Sequence, residues 1–219
     1  MKNFNNNIKI RISNNNINYL DAFKFMQKQV DDILYHNGNE LIWFLNHNHI
    51  YTCGTSAKKN EILNITKTPI IQTNRGGKTT YHGPGQRIVY FMINLNKKKR
   101  DIRRFIDLIE QSVIFLLKDF NIESTTFKNR VGIWVTKSRG IILEKEKKIG
   151  AIGLRIKKWV TYHGLSFNIN PNLIYYQNIH ACGLKNYSAT SLSDLGIELS
   201  QKKFDEIFLN YFSKGLKKL

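Results

Sequence analysis

Two cysteines in the sequence could in principle carry covalent chemistry. Cys182 lies in the segment from His180 to Leu184 (HACGL), beside a glycine at the end of a polar stretch. A cysteine thiolate is a nucleophile, and a nearby cation or base is needed to lower the pKa of the thiol. A reactive exposed thiol and an inert buried thiol both fit this local sequence. Cys53 follows an apolar run, so we expect it to pack as a small hydrophobic side chain.

Lys148 ends the charged run Glu144–Lys148 and directly precedes the small-residue stretch Ile149–Gly153. Charged runs are usually solvated faces, and this is the simplest interpretation of the lysine. A lysine at the rim of a packed strand can instead be partly desolvated, in which case its pKa falls toward that of a useful base. The groups that could activate Cys182 are therefore Lys148, His82, His163 and His180, and the sequence does not choose among them.

The stretch Thr73–Leu95 (TNRGGKTTYHGPGQRIVYFMINL) combines a polar loop with a buried strand. Adjacent glycines allow close approach of the backbone, and Gly-Pro-Gly is typical of a turn. The apolar run from Ile88 onward is typical of a core strand. The pattern predicts a tight loop that holds an Arg, a Tyr and a His together. A histidine and a glycine also lie in the middle of a predicted strand, in His163–Ser166. This pair is consistent either with a β-bulge that contains a core histidine or with the wall of a pocket.

Motifs for metals and nucleotides are missing from the sequence. The six histidines show no His-Glu-x-x-His spacing, and no Cys-x-x-Cys is present. There is neither a GxxxxGK[ST] loop nor a G-x-G-x-x-G loop. We therefore predict no metal site and no cofactor.

The 219 residues, with 42% hydrophobic side chains, suffice for one sizeable core, and we expect residues 1–219 to form a single domain. The N-terminal residues lack the apolar core of a secretory signal, and the longest apolar stretches are too short to span a membrane. Two distant cysteines argue against a disulfide scaffold. The sequence thus predicts a soluble cytoplasmic protein.

The chain is strongly basic, with 34 Lys and Arg residues against 16 Asp and Glu and a net charge of +18. Such a surface attracts polyanions and acidic proteins. The basic residues are scattered in small clusters, and neither zinc-finger spacing nor an RNP-type aromatic motif is present. An acidic protein partner therefore fits as well as nucleic acid does.

Hydrophobic periodicity predicts helices and strands in mixed order. The predicted helices are 19–35, 105–117 and 204–216. The predicted strands are 8–12, 41–45, 88–95, 122–127, 132–136, 149–155 and 159–170. Residues 139–148 are expected to form a basic hairpin or loop, and residues 175–190 mostly loop. This order indicates an α+β or mixed α/β fold rather than a doubly wound sheet.

Three blocks in this order resemble the lipoyl(octanoyl)transferase family, the octanoyl-[acyl-carrier-protein]:protein N-octanoyltransferases of lipoate biosynthesis. They are Arg75–Gln86 (RGGKTTYHGPGQ), Lys148–Leu165 and Ala181–Leu192. The likeness extends roughly from Tyr19 to Leu192. It implies the biotin/lipoate protein ligase-like fold, a mixed sheet flanked by helices.

The resemblance also implies a reaction with a cysteine–lysine pair. Cys182 would take the octanoyl group from octanoyl-acyl carrier protein as a thioester. Lys148 would lower the pKa of Cys182 and then deprotonate the acceptor lysine. The implied acceptors are the lipoyl domains of 2-oxoacid dehydrogenase complexes and the glycine cleavage H protein. Because carrier proteins and lipoyl domains are acidic, the basic surface would speed encounter, with no role for membrane or nucleic acid.

The family's acyl-binding walls correspond to three segments of this chain. They are Arg75, Gly76, Gly77, Lys78, Thr79, Thr80, Tyr81 and His82; Ala151, Ile152 and Gly153; and Gly164, Leu165 and Ser166. His47 and His163 are expected around the same pocket. The chain departs from the family pattern at Asn46, Asn48, His49, Cys53 and Gly150, which affects loop shape rather than the cysteine–lysine pair.

Two rival functions fit parts of the sequence. A lipoate– or biotin–protein ligase would share the fold but would activate a free acid with ATP, without needing a cysteine. A basic nucleic-acid-binding module without catalysis is supported only by the net charge, and its binding would depend strongly on salt. A requirement for ATP separates the first rival from a transferase.

Overall fold

A mixed β-sheet forms the centre of the protein. The computed structural model describes residues 2–5, 8–128, 130–180 and 187–219. The strands of these ranges are β1 (Lys2–Asn5), β2 (Ile8–Ile17), β3 (Glu40–His47), β4 (Ile50–Cys53), β5 (Ile70–Gln72), β6 (Thr79–His82), β7 (Gln86–Met92), β8 (Ile122–Phe127), β9 (Arg130–Ser138), β10 (Ile141–Lys157) and β11 (Val160–Asn168). The large sheet has the order β1-β2-β3-β7-β11-β10-β9-β8. Among its described strands, β2 and β3 pair in parallel and the other neighbours pair antiparallel.

Helices cover both faces of this sheet. They are α1 (Tyr19–Tyr35), α2 (Ile102–Lys118) and α3 (Gln201–Leu216). Alternate residues of a strand face opposite sides of a sheet. Accordingly, Trp43 of β3 packs toward α1, whereas Phe44 joins the core beneath α2 and α3. The α+β fold with a mixed sheet flanked by helices is confirmed, and α1 begins and ends at the predicted residues. None of the described helices is long and apolar enough to span a membrane.

A second, three-stranded sheet has the order β5-β4-β6 and corrects one prediction. We expected residues 79–82 to belong to a polar loop, but they form β6, paired antiparallel with β4. All four residues of β6 are buried, although two of them are threonines. Burial by a neighbouring sheet is a tertiary effect that a short polar sequence does not reveal. The Gly-Pro-Gly turn follows as predicted, with Gly85 at a φ of 82°.

The hairpin alternative for residues 139–148 is confirmed, because β9 and β10 pair antiparallel on either side of a turn, and the loop alternative is wrong from Ile141 onward. Only Arg139 and Gly140 form the turn, both with positive φ, and β10 then runs without interruption to Lys157. Its first half carries charges on an exposed face, which conceals the strand periodicity. Pairing with β9 nevertheless holds this segment in the sheet. Lys148 therefore lies within a strand and not at the end of a loop.

Candidate active site

A cavity of about 430 Å³ opens between the two sheets. This volume lies in the range typical of small-molecule sites. Its walls come from α1, from strands β6, β7, β9, β10 and β11, and from the segment before β6. The lining residues are Tyr19, Ser56, Arg75, Gly76, Gly77, Lys78, Thr80, His82, Ile88, Tyr90, Arg130, Val131, Ala151, Ile152, Gly153, His163, Gly164, Leu165 and Ser166.

Close backbone approach joins the loop at Arg75–Gly77 to β10. The N–H of Gly76 donates to the carbonyl of Leu154 at 3.2 Å. A Cβ on Gly153 would lie 2.9 Å from the carbonyl oxygen of Gly76, so a side chain there would push the loop away. Gly164 has a different role, because a Cβ on it would lie 2.1 Å from the carbonyl oxygen of Val89. That glycine permits β11 to pack against β7.

Arg75 is buried and fastens this loop to β4. Its guanidinium donates to the carbonyl of Thr52 at 2.6 Å, to the hydroxyl of the same residue at 2.9 Å, and to the carbonyl of Lys78 at 2.7 Å. It thereby fixes the loop through hydrogen bonds to neutral oxygens. A buried arginine with such partners shapes the cavity wall rather than presenting a mobile charge.

Neutral histidines and tyrosines form one end of the cavity. His47 donates from Nδ1 to the carbonyl of Ile17 at 2.7 Å, so its Nε2 accepts from the hydroxyl of Tyr90 at 2.7 Å. Burial lowers the pKa of His47 to about 4 and lowers the pKa of His82 well below its ordinary value. His82 lines the cavity, whereas His47 lies behind Tyr90 and supports it.

Two residues expected in the acyl-binding wall face away from the cavity. The Tyr81 hydroxyl hydrogen-bonds to Nδ1 of His49 at 2.7 Å, and its ring stacks on Tyr175 with centroids 4.8 Å apart. Thr79 directs its hydroxyl toward the sulfur of Cys53 at 3.7 Å. Neither residue is among the described residues that line the cavity. Cys53 itself is buried in β4, in keeping with a packing role.

Lys148 is buried, with 8% of its surface exposed, in a recess that adjoins the cavity. The recess and the cavity share Thr80, Ala151 and Ser166 among their lining residues. Nζ of Lys148 donates to the carbonyl of Val131 at 2.5 Å. The solvated interpretation of this lysine is therefore wrong.

A β-bulge aims the Lys148 side chain. Lys148 pairs with Trp134 and Gly150 pairs with Ile133, so β10 carries one extra residue between them. Bulges of this kind redirect side chains and are frequent near active sites. Nζ also lies 5.4 Å from the ring centre of Trp134.

Cys182 lies in residues 181–186, outside the described residues. The described chain on either side of this segment is anchored. His180 donates its N–H to the carbonyl of Glu61 at 2.7 Å. On the other side, Lys148 donates its N–H to the carbonyl of Ser188 at 2.9 Å and accepts from the N–H of Thr190 at 2.8 Å. The described chain that follows this segment thus hydrogen-bonds to the backbone of Lys148.

Several lining residues were not anticipated from the sequence: Tyr19, Tyr90, Arg130 and Val131. Gly132, beside Lys148, was also missed. A glycine at the start of a strand is a recognised signal of close backbone approach and could have been used. Tyr19 and Tyr90 gave no such signal, because a helix start and a core strand explain them fully. Among the described residues, no group of His, Cys, Asp and Glu is arranged to hold a metal ion.

Comparison of the chain with known proteins gives consistent results. Residues 18–213 match the model of the lipoyl protein ligase A/B catalytic domain family. Proteins named octanoyltransferase are similar over most of their length. The one from Bartonella henselae is 42% identical over 90% of this chain and 82% of its own, and the one from Ehrlichia chaffeensis is 43% identical over 93% and 97%.

Solved structures of lipoate protein ligases share the fold. A bipartite ligase from Thermoplasma acidophilum has a TM-score of 0.68 at 12% identity, covering 96% of this chain and 84% of its own. A lipoate-protein ligase A bound with ATP has a TM-score of 0.64 at 13% identity, covering 95% and 86%. On the strength of the family match and of relatives above 40% identity, the chain belongs to the lipoyl protein ligase A/B catalytic domain family, among its octanoyltransferase enzymes.

Proposed function

We propose that this enzyme transfers an octanoyl group from octanoyl-acyl carrier protein to the target lysine of lipoyl domains, through a thioester on Cys182. The observation that carries the proposal is the cavity of about 430 Å³ that adjoins a buried lysine, Lys148. The backbone of this lysine also binds the chain that follows Cys182. These contacts support the proposal that an acyl-binding slot, Lys148 as the base and Cys182 as the nucleophile act together.

The first half of the proposed reaction acylates the enzyme. The Lys148 amine takes the proton of the Cys182 thiol, and the thiolate attacks the thioester carbonyl of the donor. The bond from the carbonyl carbon to the carrier's sulfur breaks, and the carrier leaves as a thiol with the proton from Lys148. The octanoyl group is then held as an enzyme thioester.

The second half transfers the group to nitrogen. The amine of the acceptor lysine attacks the thioester carbonyl, and Lys148 takes a proton from the attacking nitrogen. The bond to the sulfur of Cys182 breaks, an amide forms, and the thiol is restored. The hydrogen bond from Lys148 to the carbonyl of Val131 holds the amine at a fixed position during both halves.

The charge of the chain supports protein partners for both halves. A net charge of +18 favours encounter with acidic carrier proteins and lipoyl domains at low salt. We propose the lipoyl domains of 2-oxoacid dehydrogenase complexes and the glycine cleavage H protein as acceptors. Nucleic acid binding gains no comparable support from the site.

Intact-mass spectrometry after incubation with octanoyl-acyl carrier protein, without ATP, tests the proposal. We expect one added octanoyl group, which hydroxylamine removes and which Cys182→Ser does not acquire. Cys53→Ala is the matched control and should be acylated normally, because that thiol is buried in β4. Lys148→Ala should abolish transfer to a lipoyl domain.

Other outcomes would select other functions. If the protein acquires no octanoyl group from the donor but modifies a lipoyl domain with ATP and free octanoate, it is a ligase. Full transfer activity in Lys148→Ala would refute the proposed role of the lysine.

A further inference from the structure

The end of the cavity near Tyr19 and His163 is polar, and it lies away from Lys148 along the strands. Along the paired strands, Ala151 lies opposite Ser166 and Leu154 lies opposite His163. Ala151 and Ser166 border the lysine recess. Three residues of a strand span about 10 Å, so His163 lies about that far beyond Ser166. This distance is comparable to the length of an extended octanoyl chain.

His163 presents an acceptor at that end. The side-chain amide nitrogen of Asn74 donates to the hydroxyl of Tyr162 at 2.9 Å. This hydrogen bond orients the amide oxygen of Asn74 toward Nε2 of His163, which is 3.0 Å away. Nε2 therefore carries the proton and Nδ1 is the acceptor. Nδ1 is buried and has no hydrogen-bond partner among the described residues. Burial also lowers the pKa of His163 to about 3, which keeps the ring neutral.

Tyr19 provides a second polar group beside His163. The two rings stack with centroids 6.5 Å apart, and both residues line the cavity. The Tyr19 hydroxyl is buried near the Thr73 side chain, but no group in the described part of the chain meets the geometry of a hydrogen bond with it. A buried polar group without a partner is costly, so both atoms require water or a polar ligand atom.

We propose that Tyr19 and His163 form a polar end-stop that limits the length of the acyl chain the enzyme accepts. The inference rests on the proposed acyltransferase function. An octanoyl group ends before these atoms and leaves them hydrated. A longer alkyl chain would cover the Tyr19 hydroxyl and Nδ1 of His163 with methylene groups, and neither could then form a hydrogen bond. Sites with buried polar groups reject ligands that leave those groups unpaired.

The test compares octanoyl, decanoyl and dodecanoyl thioesters of acyl carrier protein as donors. Tyr19→Phe removes one of the polar groups, and we expect the kcat/KM for decanoyl relative to octanoyl to rise about tenfold. The thermal midpoint should not fall, because the hydroxyl that is removed has no hydrogen-bond partner among the described residues. Tyr90→Phe is the matched control in the same cavity. Its hydroxyl is already bonded to His47, so its removal should not raise that ratio.

A binding measurement separates this inference from the proposed function. Stabilisation of the protein by octanoic, decanoic and dodecanoic acid, measured as a thermal shift, requires no turnover. If the wild type transfers no octanoyl group, the proposed function fails, and the binding ratios of wild type and Tyr19→Phe still decide the inference. An unchanged decanoyl preference in Tyr19→Phe, by either readout, would overturn the end-stop.

Discussion

Gly132 and Lys148 lie so close across the β9–β10 pair that no side chain fits between them. A Cβ on Gly132 would lie 2.3 Å from Cε and 2.7 Å from Nζ of Lys148. Gly132 also has a φ of 123°, which residues with a side chain rarely adopt. The position of the Lys148 amine therefore depends on the absence of a side chain at Gly132.

Gly132→Ala should reduce acyl transfer by about 100-fold, because an error of about 1 Å in the position of a catalytic group has an effect of that size. Single-turnover transfer to a lipoyl domain measures the change. Gly140→Ala is the control, since Gly140 also has a positive φ, of 83°, but a Cβ there would have no atom within 4 Å. Equal activities of the two folded variants would show that Gly132 does not position the lysine.

Acid should destabilise the protein through its buried histidines. Burial lowers the pKa of His47 to about 4, from about 6.5 in the unfolded chain. Between these values the unfolded state binds more protons, so stability is complete above pH 6.5 and declines as the pH falls toward 4. His47 alone should account for a loss of about 2 kcal/mol at pH 5.

Urea unfolding at pH 7.5 and pH 5 measures this loss. His47→Gln should show a smaller difference between the two pH values, because glutamine does not titrate. His36→Gln removes an exposed histidine at the end of α1 and should leave the difference unchanged. If the wild type, His47→Gln and His36→Gln lost the same free energy of unfolding between pH 7.5 and pH 5, groups other than His47 would cause the acid sensitivity.

The sequence alone was sufficient to predict the helices and strands whose apolar residues recur at regular spacing. The helix α1 was predicted with its correct bounds because its buried face recurs at helical spacing; the structure adds that Asn18 caps it. The buried strands β3 and β7 were predicted within a few residues for the same reason. Local signals and tertiary packing agree in these segments.

The surroundings of Lys148 could not be derived from the sequence. Its burial results from a bulge in β10, from Gly132 on β9 and from Ser188, which lies 40 positions later. The charged run that precedes the lysine contains no sequence signal for any of these three features. The polar cavity end likewise depends on residues as distant as Tyr19 and His163. Contacts between distant segments are set by the fold and not by local pattern.

Asp205→Ala should destabilise the protein by about 3–5 kcal/mol, the typical effect of breaking a buried ion pair. Asp205 of α3 receives two hydrogen bonds from Arg87 of β7, at 2.5 and 2.8 Å, and both side chains are almost fully buried. Removal of the carboxylate leaves the guanidinium buried without its charge partner. Urea unfolding at pH 7.5 measures the change.

Glu206→Ala is the control for this prediction. Glu206 is the next residue of α3 and forms an exposed pair with Lys203 at 3.7 Å. Exposed pairs contribute little, so its replacement should change the free energy of unfolding by less than about 1 kcal/mol. Similar effects of the two substitutions would contradict the role assigned to the Arg87 pair.

Arg130→Lys should lower kcat/KM for the octanoyl donor about tenfold, because each cation–π interaction of the arginine is worth about 1 kcal/mol. The Arg130 guanidinium lies over the rings of Phe127, Trp134 and Tyr187, at 3.8, 4.9 and 4.4 Å from their centres. It thereby holds Tyr187 against the wall of the cavity. Tyr187 is the first described residue after the segment that contains Cys182. A lysine keeps the charge, but its ammonium group lacks the planar surface that stacks on aromatic rings.

Arg11→Lys provides a matched control for that substitution. Arg11 of β2 also lies over two rings, those of Phe25 and Trp43, at 4.5 and 4.4 Å, but it does not line the cavity. We expect the Arg11→Lys substitution to lower the thermal midpoint without changing kcat/KM. If stability and activity fell in the same proportion in both variants, Arg130 would act only on the stability of the sheet. A selective decrease of kcat/KM in Arg130→Lys would show that the stacking of Arg130 on three rings organises the approach to Lys148.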